Sequence, residues 1–144
     1  MSSVELRKVK FREYFCSAKW EQIDVGDREG HIVGCFQARA IIGNTEGKRL
    51  FDGWTETDTG AIDLDSKTFR GTGHGYEVWT DPDGDKIIVS WEGTTGPGGG
   101  GPHTILSGTG KWQGIRGTGT YSLHPVSGVQ WYVDMEMDIE FPKR

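Results

Sequence analysis

SGTGKWQGIRGTGTY at residues 107–121, followed by VQWYVDMEMDIEF at residues 129–141, decides the fold. In the second run Val129, Trp131, Val133, Met135, Met137, Ile139 and Phe141 take the odd positions, and Gln130, Asp134, Glu136, Asp138 and Glu140 take even ones. Successive side chains of an extended chain point to opposite faces, so this run is predicted to be a strand with one apolar and one acidic face. In the first run Ile115, Gly117, Gly119, Tyr121 and Leu123 alternate with Arg116, Thr118, Thr120 and Ser122. Together the two read as the closing hairpin of an antiparallel barrel. Glycine weakens a strand, so Gly117 and Gly119 on the inward face mark a bend or the close approach of something bulky. That partner is either a neighbouring tryptophan or a bound molecule.

Outward from this hairpin the same period recurs. Val9, Phe11 and Phe15 share one face and Lys8, Lys10 and Arg12 the other. Residues 19–25 read as a further strand, 26–30 as a turn and 31–42 as a long apolar strand. After a turn at 43–47, residues 49–57, 61–65 and 68–80 continue the pattern. Asp81-Pro82-Asp83-Gly84 is a turn signal, because proline presets one dihedral and glycine accepts positive φ, and it joins residues 86–92 as a hairpin. The run at 96–102, GPGGGGP, reads as a mobile loop. No helix is expected. Eight or nine short-linked strands predict an all-β, calycin-like closed antiparallel barrel of about eight strands, a single domain over residues 1–144. Charge supports closure. If the first strand pairs with the last, Lys8, Lys10 and Arg12 face Asp134, Glu136 and Asp138, each pairing worth about 0.2–1 kcal/mol.

Composition bounds the function. The 144 residues include 23 glycines, six tryptophans, six phenylalanines and four tyrosines, with a formal net charge of −5. No concentrated basic surface exists beyond residues 7–12, which disfavours nucleic acid as a partner. No window approaches the apolar length of a membrane span, and the N-terminus lacks the apolar core of an export signal, so a soluble, cytoplasmic protein is expected. Cys16 and Cys35 are expected to be buried thiols.

The stretch at 107–121 resembles the glycine-rich turn and strand near the C-terminus of allene oxide cyclase-like barrels, a group related to dirigent proteins. Gly108, Gly110, Trp112, Gly114, Ile115 and Gly117 carry the resemblance, and Phe69-Arg70-Gly71-Thr72-Gly73 is compatible with it. The resemblance covers about the last third of the chain. It implies an eight-stranded barrel with an apolar cavity, homo-oligomers, and cyclases that shape a reactive substrate without a cofactor.

Candidate site residues follow from the inward faces. Trp54, Trp79, Trp91, Trp112 and Trp131, with Tyr76 and Tyr121, are candidates to line the interior, whether by filling it or by contacting a ligand beside Gly117 and Gly119. Glu56, in line with Asp52 and Trp54, and Glu77, in line with Trp79, are the preferred inward acids. Burial among aromatics would raise their pKa and suit them to general acid–base work. His74, flanked by Gly73 and Gly75, is a third catalytic candidate, and His103 after the glycine run is placed at a cavity mouth. The four histidines show no metal-ligand spacing, so neither a metal nor another cofactor is expected. Residues 81–85 lack the ligand series of a calcium loop, and 96–101 lacks the Lys-Ser/Thr of a phosphate cradle. The expected function is binding of a small hydrophobic or amphipathic molecule, with cofactor-free cyclase or isomerase activity. The alternatives are a lipocalin-like carrier or sensor, and a filled barrel acting in oligomerisation or protein contact.

Overall fold

The computed structural model describes residues 4–127 and 130–143. Its strands are β1 (Val4–Asp24), β2 (His31–Asn44), β3 (Thr55–Asp65), β4 (Arg70–Thr80), β5 (Lys86–Thr94), β6 (Gly100–Gly108), β7 (Arg116–Ser127) and β8 (Gln130–Pro142). They form one closed antiparallel barrel in chain order, and the helical content among the described residues is a 3₁₀ turn at Gly110–Trp112. None of the described helices is long and apolar enough to cross a membrane.

Closure runs through the expected pairing. Lys8, Lys10 and Arg12 of β1 lie opposite Asp138, Glu136 and Asp134 of β8. Lys8 Nζ reaches Asp138 at 3.3 Å and Glu136 at 3.4 Å, and Arg12 holds both oxygens of Asp134 at 2.6 and 3.2 Å. The odd residues of β8 from Val133 to Ile139 are buried as the alternation requires. Val129 lies outside the described residues.

Four sequence expectations change. Residues 8–15 and 19–25 do not form two strands; β1 is one 21-residue strand with a register shift between Phe15 and Ser17. One extra residue reverses the side-chain phase, which brings Ala18 and Trp20 opposite the inward Ala38 and Phe36. Cys16 sits at that shift and Cys35 on the outward phase of β2, so both thiols are exposed and free. Residues 49–54 form a turn, closed by Ile42 N–H donating to Trp54 O (2.9 Å) and Gly53 N–H to Ile42 O (2.7 Å). The glycine run is turn and strand: Gly100 and Gly101 pair with Ser122 and Tyr121, and Leu123 N–H donates to Gly99 O at 2.8 Å.

Alternating hairpins place the turns at 45–54, 81–85 and 109–115 at the same end of the barrel as the paired Val4 and Pro142. An aromatic plug closes this end. Phe51, wholly buried at φ +62°, packs its ring against Trp54 (4.9 Å), Trp79 (5.3 Å) and Phe11 (5.4 Å), and Trp54 packs on Trp112 (5.1 Å). A left-handed non-glycine residue costs on the order of 1–3 kcal/mol, which burial of the phenyl ring offsets. Outside the plug Lys111 Nζ contacts Asp81 (2.6 Å), Asp85 (2.9 Å) and Asp83 (3.1 Å). Asp81 also accepts from Trp112 Nε1 (2.9 Å) and from the backbone N–H groups of Asp83 (2.9 Å) and Asp85 (3.0 Å).

Candidate functional site

Above the plug the interior turns polar. Glu13 of β1, Glu56 and Asp58 of β3, Glu77 of β4 and His103 of β6 all point inward, each at most 7% exposed. Each is placed by strand alternation. Glu13 continues the inward face of Val9 and Phe11, while Glu56 and Asp58 share a phase with Leu64. Cross-strand register sets Asp58 opposite Glu77 and Glu56 opposite Trp79, and it sets His103 opposite Trp91 and Gly119.

The hydrogen bonds inside this cluster are unequal. Glu77 accepts from Trp79 Nε1 at 3.0 Å, and its other oxygen lies 3.0 Å from His103 Nε2. Asp58 accepts from Trp91 Nε1 at 2.7 Å. The oxygens of Glu13 and Glu56 find no hydrogen bond outside the carboxyl cluster, where they are left to share protons with each other and with Glu77, and Nδ1 of His103 is buried without a partner. Protonation follows the same division. Burial, then the nearby charges of Glu56 and Glu77, pushes the Glu13 carboxyl well above the usual range. Burial and the Glu77 charge do the same to Glu56 and to Asp58. Burial also acts upward on Glu77, but the His103 charge and hydrogen bond, with Trp79, bring it below its ordinary value. Tyr121, whose ring is 4.7 Å from that of His103, is pushed up to about 12 by burial and then by the charges of Asp58 and Glu77. Carboxyl groups whose environments drive them apart in this way put a proton donor and a proton acceptor in one site.

By distance alone, the same side chains fall into two sets able to meet around an ion: Glu13, Glu77 and His103, and Glu56, Asp58 and Glu77, with donor atoms within 4.8 Å of one another in each. The spacing of the histidines in the chain did not show these sets.

Glu77 and Glu56 thus come together in the interior. Asp52, expected in line with Glu56, sits in the 49–54 turn and accepts from Asn44 N–H at 2.9 Å. His74 and Tyr76 do not join them. Alternation on β4 turns Gly73, Gly75 and Glu77 inward, leaving His74 exposed and Tyr76 57% exposed on the outer wall. There they line a depression of about 300 Å³ with Ser90, Glu92, Pro102 and Thr104. Trp54 and Trp79 belong to the plug. Trp91 crosses the interior, its indole filling the space left by Gly60, Gly73 and Gly75, where an added Cβ would come within 2.5, 3.3 and 2.9 Å of it. Trp131 stacks on Phe15 (4.7 Å, 6°) toward the other end. At Gly117 an added Cβ would lie 2.8 Å from Asp138 O, and at Gly119 it would strike Glu136 O, so strand β8 takes the volume beside both.

Sequence reading missed Glu13 and Asp58 and put His103 at a mouth instead of in the centre. The signals were present: Glu13 interrupts the inward series Val9, Phe11, Phe15, and Thr55-Glu56-Thr57-Asp58-Thr59 alternates acids with threonines.

No family model matches the chain, and no curated protein matches its sequence. Among solved structures, the pterocarpan synthase dirigent protein GePTS1 superposes with a TM-score of 0.57 at 11% identity, over 98% of this chain and 91% of that one. The fold is that of a dirigent-like eight-stranded barrel.

Proposed function

We propose that the protein binds a small hydrophobic or amphipathic molecule in its barrel and acts on it as a cofactor-independent cyclase or isomerase. The observation that carries this reading is the pair of carboxyls Glu13 and Glu56, 0% and 3% exposed, whose oxygens find no hydrogen bond outside the carboxyl cluster. An unsatisfied buried polar group costs about 1–3 kcal/mol, and groups kept at that cost with displaced pKa values cluster at functional sites. The end of the barrel away from the plug supplies apolar walls in the Phe15–Trp131 stack and the Phe36–Trp91 pair (6.0 Å). A substrate inserted there meets protonated carboxyls and, opposite them, the Glu77–His103 pair. Proton delivery from Glu56, Glu13 or Asp58 to one atom, with removal from another by Glu77–His103, is an isomerisation with no net proton consumed and no redox partner. The resemblance of residues 107–121 to allene oxide cyclase-like barrels supports this reaction class, and the fold shared with a pterocarpan synthase dirigent protein supports a barrel that handles small molecules.

Native mass spectrometry of the purified protein, with extraction of whatever is released, tests the reading. A discrete small-molecule adduct is expected, converted to an isomer of equal mass by the wild type and retained unchanged by Glu77→Gln. An adduct that Glu77→Gln converts at the wild-type rate would leave a carrier. A bare mass, with no change of tryptophan fluorescence across a panel of apolar compounds, would leave a filled barrel.

A further inference from the structure

We propose that the molecule this site takes is a small organic cation, an amphipathic amine whose ammonium is received by Glu13 and Glu56 at the floor of the interior. The inference rests on the reading that the barrel binds a ligand, and adds its charge and orientation.

The first support is the sign of the interior. Four carboxyls face inward around one imidazole, and no lysine or arginine is buried among the described residues. The second is the distribution of donors. The three ring N–H groups that reach the cluster, from Trp79, Trp91 and His103, are all spent on Glu77 or Asp58. Glu13 and Glu56 receive none of them and are left to share protons with each other and with Glu77. An ammonium brings three donors and no acceptor, which is the complement of that set. An anionic head group would instead oppose the charge of Glu77 and find no lysine or arginine among the buried described residues. Third, aromatic rings border the cluster on both sides: Trp91 and Tyr121 (6.3 Å) away from the plug, and the edge-packed Phe11–Trp79 pair (5.2 Å) within it. Carboxylates combined with aromatic faces are the recurring chemistry of organic-cation recognition. The raised Tyr121 hydroxyl agrees with a negative potential that extends from the cluster toward the open half of the barrel.

Orientation follows from register. Glu56 lies level with Trp79 at the plug, while Asp58 and Glu77 lie one step farther from it. An ammonium seated at the floor takes the place of the protons on Glu13 and Glu56. The body of the ligand then lies against Asp58 and the Glu77–His103 pair, which remain as acid and base.

Three matched series decide the matter: benzylamine and 2-phenylethylamine, the corresponding alcohols, and the corresponding carboxylates, titrated calorimetrically into the wild type in two buffers of different ionisation enthalpy. The amines are expected to bind at least about tenfold more tightly than the alcohols, with the carboxylates not binding. Amine binding should release protons, seen as a buffer-dependent enthalpy, and Glu13→Gln and Glu56→Gln should each narrow the preference for amine over alcohol by about tenfold. Alcohols binding as tightly as amines would overturn the cation and keep the ligand site. Failure of all three series would overturn both. Zinc or manganese binding at one ion per chain, abolished by Glu13→Gln and blocking the amines, would also overturn it, by assigning the cluster to a metal.

Discussion

The barrel contains two acid clusters, and they differ in how each acid is answered. At the plugged end Asp81, Asp83 and Asp85 converge on one ammonium, and Asp81 collects Lys111, Trp112 and two backbone N–H groups. In the interior Glu13, Glu56, Asp58 and Glu77 crowd together, Glu77 pairs with the His103 imidazole and Asp58 with Trp91, and Glu13 and Glu56 find no hydrogen bond outside the carboxyl cluster. The first arrangement is what a fold does with acids that hold a turn in place. The second lowers stability at neutral pH, which points to a role other than holding the barrel together. The pKa directions express the same contrast. Burial acts upward on Asp81, but Lys111, Trp112 and the backbone bring it down to about 2, whereas burial and mutual repulsion raise Glu13, Glu56 and Asp58.

The largest effect expected from this contrast is on the pH dependence of stability. Asp81 is depressed, so its contribution is fully present above the unfolded value of 3.8 and is lost as pH falls through about 2. The interior acids are raised, so the folded state holds protons that the unfolded chain releases above the ordinary glutamate value of 4.5, and stability falls as pH rises. His31, between Asp27 and Asp63 at 2.7 Å from each, is also raised; its contribution is intact below 6.5 and is lost as pH rises through its folded pKa. The window from 4.5 to 6.5 therefore isolates the interior. Urea melts across it should show the wild type losing about 1.4 kcal/mol per pH unit for each proton held. The Glu13→Gln/Glu56→Gln double variant should keep the acid limb and lose most of this slope. A wild type flat over that window would mean that the interior acids are answered after all.

Asp81→Ala comes next in size, with the opposite origin. It removes an acceptor of four hydrogen bonds, one from an ammonium, whose side chain is 4% exposed. A loss of about 2–4 kcal/mol in chemical denaturation is expected, since bonds to charged groups are the strong ones. A loss below about 0.5 kcal/mol would erase the distinction between the two clusters.

The sequence revealed these regions to different degrees. The barrel and its β1–β8 closure were legible because apolar and charged residues alternate strictly in both strands, so one register satisfies both faces. The clasp was half legible: Asp81-Pro82-Asp83-Gly84 announces a turn, but nothing local points to Lys111, 26 positions beyond Asp85. The interior cluster was the least legible. In the first half of β3 the acids alternate with threonines, so no apolar neighbour there says which way Glu56 and Asp58 point, and the turn at Phe51 before it uses a left-handed conformation that phenylalanine does not advertise. The extra residue at Cys16 reverses the phase of β1 just past Glu13. His103 follows seven glycine and proline positions that look like a loop, of which Gly100 to Pro102 are strand, where an added Cβ at Gly100 or Gly101 would strike the carbonyl oxygen of Tyr121 or Glu92.

The last and smallest expected effect separates a functional acid from a structural one. Glu56 is 3% exposed and finds no well-formed hydrogen bond outside the carboxyl cluster, so Glu56→Leu, of similar volume, removes a desolvated polar group and relieves its crowding against Glu77. Exchanging a buried polar group for a packed apolar one is often neutral or stabilising, and a gain of about 1–3 kcal/mol at pH 7 is expected. A carboxyl that packs the barrel would give the reverse, because its removal would cost contacts without relieving a charge. The gain should come with loss of ligand binding in the same variant, read by tryptophan fluorescence with 2-phenylethylamine. Stability rising while binding falls is the signature of a group kept for function at the expense of the fold. Stability falling would return Glu56 to the class of Asp81, and leave Glu13 as the single unanswered acid.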